Sequence, residues 1–220
     1  MKQETKMRLR RSLRLALIAA ALGAAIGFIQ LYMQASPSSE QGQSASLAIM
    51  PRVGGEFTAL DQDAALITQD IFQDHYSLVY FGFTYCPAIC PTELQKMTAA
   101  LQKLENHAPD KAKQLQPFFV SIDPERDTPE TVKSYISLFH PKFSGITGNP
   151  EQIAHLKKLY HVFAEKVWNE EADKNSDDYT MDHSSYIYLL NPEGRLLAMY
   201  RMKDDADKIV KDLEQKIANL

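Results

Sequence analysis

Apolar and polar positions fall into blocks along the chain, and the first block is continuous. Leu15 to Met33 is a 19-residue run without a charged side chain, mostly Ala, Leu, Ile and Gly. At about 1.5 Å of rise per residue, a helix of that length reaches roughly 28 Å, the thickness of a bilayer core. It exceeds the 7 to 15 apolar residues usual in a cleaved signal, and Gln30, Tyr32 and Gln34 leave no small-x-small cut site at its end. The expectation is an uncleaved membrane anchor. The stretch that follows, rich in Ser, Gln, Ala, Pro and Gly without periodicity, predicts a flexible linker over 34–50.

From about residue 51 the pattern becomes that of a folded α/β domain. Leu78 to Phe83 is an unbroken apolar run of β-formers and predicts a buried central strand. Two cysteines follow at once. Leu94, Met97, Leu101 and Leu104 then recur at helical spacing, and Pro117 to Ile122 predicts a second buried strand. Thr128 before Pro129, and Asn149 before Pro150, are helix starts with a capping residue and proline at the first position. The stripes behind them are Val132, Tyr135, Ile136 and Phe139, then Ile153, Leu156 and Leu159. A short strand is predicted at Val162 to Val167. The acidic run Glu170, Glu171, Asp173, Asp177 and Asp178 is a solvated loop. Tyr186 to Leu190 and Leu196 to Tyr200 flank Asn191-Pro192-Glu193-Gly194, a hairpin, and a last helix buries Ile209, Leu213 and Ile217. Strand–helix, strand–helix, helix, strand, hairpin, helix is the order of a thioredoxin-like fold with an inserted helix.

Charge refines this division. Of 24 basic and 28 acidic residues, residues 1–14 hold six basic (Lys2, Lys6, Arg8, Arg10, Arg11, Arg14) and one acidic (Glu4). The remaining 18 against 27 make the rest of the chain acidic. Such a domain has no extended basic face, which argues against nucleic acid as partner. The basic stub before the apolar run predicts, by the positive-inside rule, a cytoplasmic segment 1–14, an anchor 15–33, and a domain 51–220 outside a bacterial inner membrane, facing the periplasm or the exterior.

The chemistry begins at Cys86-Pro87-Ala88-Ile89-Cys90, the only two cysteines, between a buried strand and a helix start. A helix N-terminus lowers a thiol's pKa and makes it a better nucleophile and metal ligand. A structural disulfide is the bland alternative in an oxidising compartment, but closing a five-residue loop stabilises little. Two thiolates favour soft metals, Cu(I) above all, whereas structural zinc would want a fourth ligand. The same pair can act as a redox dithiol. A third ligand must come from His75, His107, His140, His155, His161 or His183. Five of these sit where a surface or capping role suffices. His183, in Met181-Asp182-His183-Ser184-Ser185 ahead of the hairpin strand, could be a ligand or incidental on residue pattern alone. In a thioredoxin-like fold the loop entering that strand lies against the cysteine loop, which favours ligation, with Asp182 orienting the ring. Asp123, a hard carboxylate, is expected to tune the thiols or assist Cu(II), not to bind Cu(I). Glu125, Arg126 and Asp127 are expected in a charged turn open to a partner.

Four motifs in order over roughly residues 50–200 resemble the Sco/SenC family of copper chaperones for cytochrome c oxidase assembly. They are Tyr80-Phe81-Gly82-Phe83-Thr84-Tyr85-Cys86-Pro87-Ala88-Ile89-Cys90-Pro91, Ile122-Asp123-Pro124-Glu125-Arg126-Asp127-Thr128, Gly145-Ile146-Thr147-Gly148 and Asp182-His183-Ser184. The resemblance implies a thioredoxin-like fold with one N-terminal anchor, and copper, as Cu(I) or Cu(II), held by Cys86, Cys90 and His183. It implies as partner the copper-binding subunit of cytochrome c oxidase or another copper chaperone, and as activity copper delivery or reduction of that subunit's cysteines. No small-molecule substrate is indicated, and a thiol peroxidase is a weaker reading. Tyr85 and Ala88 depart from the family, where many relatives carry His and Asp, and put affinity and redox poise in question.

Overall fold

A computed structural model of the chain describes residues 53–168 and 178–218. The expected cytoplasmic segment, anchor and linker, and nearly all of the acidic run, lie outside these residues. Among the described residues no helix is long and apolar enough to cross a membrane.

The element order is β1 (Thr58–Asp61), β2 (Leu66–Thr68), a 3-10 turn (Gln69–Phe72), β3 (Tyr76–Gly82), α1 (Ile89–His107), α2 (Pro109–Lys113), β4 (Leu115–Ser121), α3 (Pro129–Ile136), β5 (Ser144–Thr147), α4 (Pro150–Leu159), β6 (Ala164–Trp168), β7 (Tyr179–His183), β8 (Tyr186–Leu190), β9 (Leu196–Arg201) and α5 (Ala206–Lys216). Seven strands form one sheet in the order β2-β1-β5-β4-β3-β8-β9, while β6 and β7 pair only with each other. β3 runs parallel to β4 with Val79 opposite Phe118, and antiparallel to β8 with Val79 opposite Tyr188. β8 and β9 form the predicted hairpin, closed where the Gly194 N–H donates to the Asn191 carbonyl at 2.8 Å with Gly194 at φ 70°. The core β4-β3-β8-β9 is the thioredoxin-like arrangement expected from the sequence, widened by β5, β1 and β2.

Every residue of β3 is buried, as a central strand covered on both faces requires. Strand alternation divides its side chains. Phe81 packs on Tyr160 and Tyr188, with centroids 5.3 and 5.6 Å away. Tyr80 and Gly82 face Cys90 of α1 on the other side. The capped helices form as expected: Thr128 accepts from the Thr131 N–H, and Asn149 and Gln152 complete a reciprocal capping box. At the N-terminus of α1, the capping position is Ala88, which has no side-chain acceptor.

Four strands escape the periodic pattern. β1 pairs antiparallel with β5, Leu60 opposite Thr147, so the sheet extends past the predicted strands. The segment 179–183, expected as loop, is a strand whose His183 lies opposite Ala164. The strand expected at Val162 to Val167 begins at Ala164 and ends at Trp168.

Candidate metal centre

Cys90 is the second residue of α1 and fully buried, whereas Cys86, in the loop above it, is half-buried; both are free thiols. The two come close because the helix end needs an acceptor. With Ala88 unable to cap, the Cys90 N–H donates to the Cys86 sulfur at 3.3 Å, so a side chain four residues earlier satisfies an orphan donor. The chain must also pass close beneath. A Cβ at Gly82 would lie 2.9 Å from Cys90 Sγ and 2.8 Å from the Tyr80 ring, which only glycine avoids.

His183 completes the cluster from the end of β7. Its Nε2 lies 3.7 Å from Cys90 Sγ, and its Nδ1 faces the Ser184 carbonyl at 2.9 Å. A carbonyl only accepts, so Nδ1 donates to it, and Nε2 is the ring nitrogen left facing the sulfurs. The ring is held edge-on by Phe83 and Tyr80, with centroids at 5.8 and 6.4 Å. The Tyr80 hydroxyl donates to Cys90 Sγ at 3.7 Å and shares a 3.0 Å hydrogen bond with Ser185.

These contacts make the two thiols unequal. Cys86 is held well below the ordinary thiol range, chiefly by the Cys90 thiol donating to it; His183 and the backbone N–H groups of Cys90 and Ala88 act the same way, against partial burial. Cys90 is pushed up, first by that same hydrogen bond and then by burial. One half-buried thiolate thus sits over one fully buried thiol. Around them an open groove of about 820 Å³ is lined by Cys86, Ile89, Phe163, Met181, His183 and Met202, among others. Two sulfurs and an imidazole nitrogen make a soft donor set that could hold a thiophilic metal. Among the described residues no three donors already converge on one point. Side chains must therefore turn before three of them could share an ion.

The remaining expectations fare unevenly. Asp182 does not orient His183: on a strand its side chain takes the opposite face, it is exposed, and the Ser184 carbonyl holds the ring instead. Asp123 is turned away from the thiols, accepting from Arg126 Nε and from the Tyr179 hydroxyl, both at 2.6 Å. Asp127 is not open to a partner but fully buried, accepting from the Ser121 hydroxyl at 2.6 Å and from the Thr84 hydroxyl at 2.5 Å. Burial raises its pKa against those hydrogen bonds. Among the other histidines, His107 faces Glu214, His155 meets the Glu56 carbonyl, and His75 stacks on Phe118. His140, expected in a surface or capping role, is buried against Glu105 at 3.2 Å and accepts the Lys142 N–H through Nδ1 at 3.3 Å. Tyr80 was not singled out by the sequence, since nothing in an apolar strand run distinguishes a tyrosine that reaches sulfur from one that only fills space.

A reactive dithiol at a helix start, faced by an imidazole across a thioredoxin-like sheet, places the molecule among the thioredoxin-like proteins that handle thiols or soft metals. More closely, the chain belongs to the SCO1/SenC family, whose sequence model matches residues 46–218. It is similar to the SCO2-like protein of Rickettsia felis, 39% identical over 163 residues that make up 74% of this chain and 76% of the relative. The mitochondrial SCO2 homolog of Mus musculus is 37% identical over 204 residues, 92% of this chain and 78% of the relative. Among solved structures, Arabidopsis thaliana ScoI with copper bound matches with a TM-score of 0.69 at 36% identity, covering 75% of this chain and 98% of that one.

Proposed function

We propose that this protein is a membrane-anchored copper metallochaperone that carries copper on Cys86, Cys90 and His183 and delivers it to the binuclear copper site of cytochrome c oxidase during assembly. The observation that carries the reading is the placement of His183 Nε2, 3.7 Å from Cys90 Sγ with Nδ1 already engaged. A dithiol alone would serve redox chemistry; an imidazole nitrogen held beside it adds the third soft-to-borderline donor that Cu(I) accepts. The copper bound by the Arabidopsis relative supports the same assignment. Copper is here the cargo, and this chain's residues hold it, shield it and surrender it. The oxidase subunit as recipient follows from the family resemblance of the motifs. Cu(I) titration of the reduced protein against a chromophoric chelator tests the reading. His183→Ala and Cys86→Ser are each expected to weaken binding by at least tenfold, and a variant that binds as tightly as the parent overturns it.

A second reading has its own observation, the unequal thiols. A half-buried Cys86 thiolate, open to the groove above a fully buried Cys90, is the asymmetry of a disulfide reductase. Cys86 would attack a client disulfide, and Cys90, losing its proton to solvent, would displace the client as a dithiol, leaving the Cys86–Cys90 pair oxidised by two electrons. Client reduction that survives His183→Ala but not Cys90→Ser would favour this role over metal transfer.

A further inference from the structure

The β6–β7 ribbon that carries His183 shares no strand pairing with the seven-stranded sheet. Its covalent link to that sheet is the short connection Ser184-Ser185 into β8, whose Ile187 lies opposite Tyr80 of β3, and the rest of the ribbon is placed by the contacts around it. At the ribbon's base, Ser184 contributes, its N–H donating to the Phe163 carbonyl at 3.0 Å. At the far end the contacts gather on Arg126 and Tyr179. Arg126, in the turn after β4, places its guanidinium carbon 3.6 Å from the centroid of the Tyr179 ring and 4.8 Å from that of Tyr85. Tyr179 opens the strand that His183 ends, and Tyr85 is the residue before Cys86.

The rest of the turn locks this arrangement. Arg126 donates through Nε to Asp123 at 2.6 Å and through a terminal nitrogen to the Tyr179 carbonyl at 2.8 Å. The second oxygen of Asp123 receives the Tyr179 hydroxyl at 2.6 Å. Asp123 is 1% exposed and the Arg126 side chain 10%. Lys166 of β6 lies 4.3 Å from the other partner of this stack, the Tyr179 ring, and pairs with Glu125 at 2.5 Å. On the cysteine side, Asp127 receives the Thr84 N–H at 3.1 Å and the Thr84 hydroxyl. The turn 123–127 thus grips the approach to Cys86 with one hand and the start of β7 with the other.

We propose that Arg126 is a positioning residue for the metal centre: clamped between Tyr85 of the cysteine loop and Tyr179 of the ribbon, it sets how closely His183 approaches Cys86 and Cys90. This rests on the copper-binding reading for its consequence, though not for its geometry. Planarity is essential, because a guanidinium can stack on a ring while its edge donates in the plane, and a lysine ammonium cannot.

The test uses Arg126→Lys, with Tyr85→Ala and Tyr85→Phe as a pair that cannot unfold the protein through burial, Tyr85 being 62% exposed. In chelator competition, Arg126→Lys is expected to weaken Cu(I) binding about 10- to 100-fold, the usual loss when a ligand's outer support is removed. Added to His183→Ala, it is expected to cost nothing further. Equal losses in both backgrounds would mean that Arg126 merely supports the fold, and would overturn the proposal. In the reduced, metal-free protein, the imidazole proton resonances of His183 are expected to shift in Arg126→Lys and Tyr85→Ala and to return in Tyr85→Phe, which restores the ring face. Resonances that stay put in Tyr85→Ala would also overturn it. Because this readout needs no metal, a parent protein that fails to bind Cu(I) would sink the copper reading while the imidazole shifts still decide the clamp.

Discussion

At Cys86 the sulfur does two jobs, receiving the helix N–H and standing at the mouth of the groove. Since its folded pKa is depressed, the thiolate persists as the pH falls below neutrality. Alkylation by iodoacetamide is therefore expected at Cys86, with a rate nearly flat from pH 8 down to about pH 5, while Cys90 stays unmodified; mass spectrometry of the labelled peptide checks both. A rate that rises only above pH 8 would contradict the assignment. Beneath the thiols, Gly82→Ala puts a methyl 2.9 Å from Cys90 Sγ, and overpacking there is expected to cost about 1–3 kcal/mol, read as a lowered melting temperature. The cysteine pair stands out in the sequence because it is the only one and its spacing is specific, whereas His183, one of six histidines, is picked out only by its place ahead of the hairpin strand of a thioredoxin-like fold. Asp182 was misassigned for a definite reason: with 179–183 taken as loop, adjacent residues seem able to share a task, whereas on a strand they point to opposite faces. Asp123 lies two residues past the end of β4, and its two oxygens are consumed by Arg126 and Tyr179, partners 3 and 56 residues away. No local pattern announces the second.

Among the elements, β3, β4, the hairpin and the capped helices were predicted because each buries a face wide enough to imprint a period. β1, β2, β5 and β7 have four, three, four and five residues. Strands so short carry too few residues for alternation to register, and their pairing is decided across the sheet. The Gly145-Ile146-Thr147-Gly148 motif was recognised without its cause, which is that β5 presses on α3 so closely that a Cβ at Gly145 would collide with Val132. At the start of α1, the departure from family pattern at Ala88 now has a physical meaning. An Ala88→Asp replacement would offer the helix its own carboxylate cap, worth about 1 kcal/mol, and set a negative charge beside Cys86. We expect a higher melting temperature together with an upward shift of the pH midpoint for Cys86 alkylation. Stabilisation with an unmoved midpoint would show that the sulfur is not the helix's cap.

Across the whole molecule, sequence and structure contribute different parts. The fold and site are built from residues 53–168 and 178–218, while the proposed location outside an inner membrane rests on the uncharged run and the basic stub. Full-length protein is accordingly expected to remain in the membrane pellet after alkaline carbonate washing, and to lose its domain to added protease only from the outer face; recovery in the supernatant would count against the anchor. The division between sheet and ribbon reaches further than positioning. The loop and helix that carry the thiols pack on the buried strand β3, whereas the imidazole ends a two-stranded ribbon that is outside the sheet's pairing and joined to it through Ser184 and Ser185. A carrier has to let go on demand, and the timescale of release is set by whichever ligand can leave without global unfolding. On the proposed ligand set His183 is the ligand placed to leave first, and a recipient that pulls on the ribbon is expected to shorten the residence time of the cargo while the two sulfurs keep it from escaping to water.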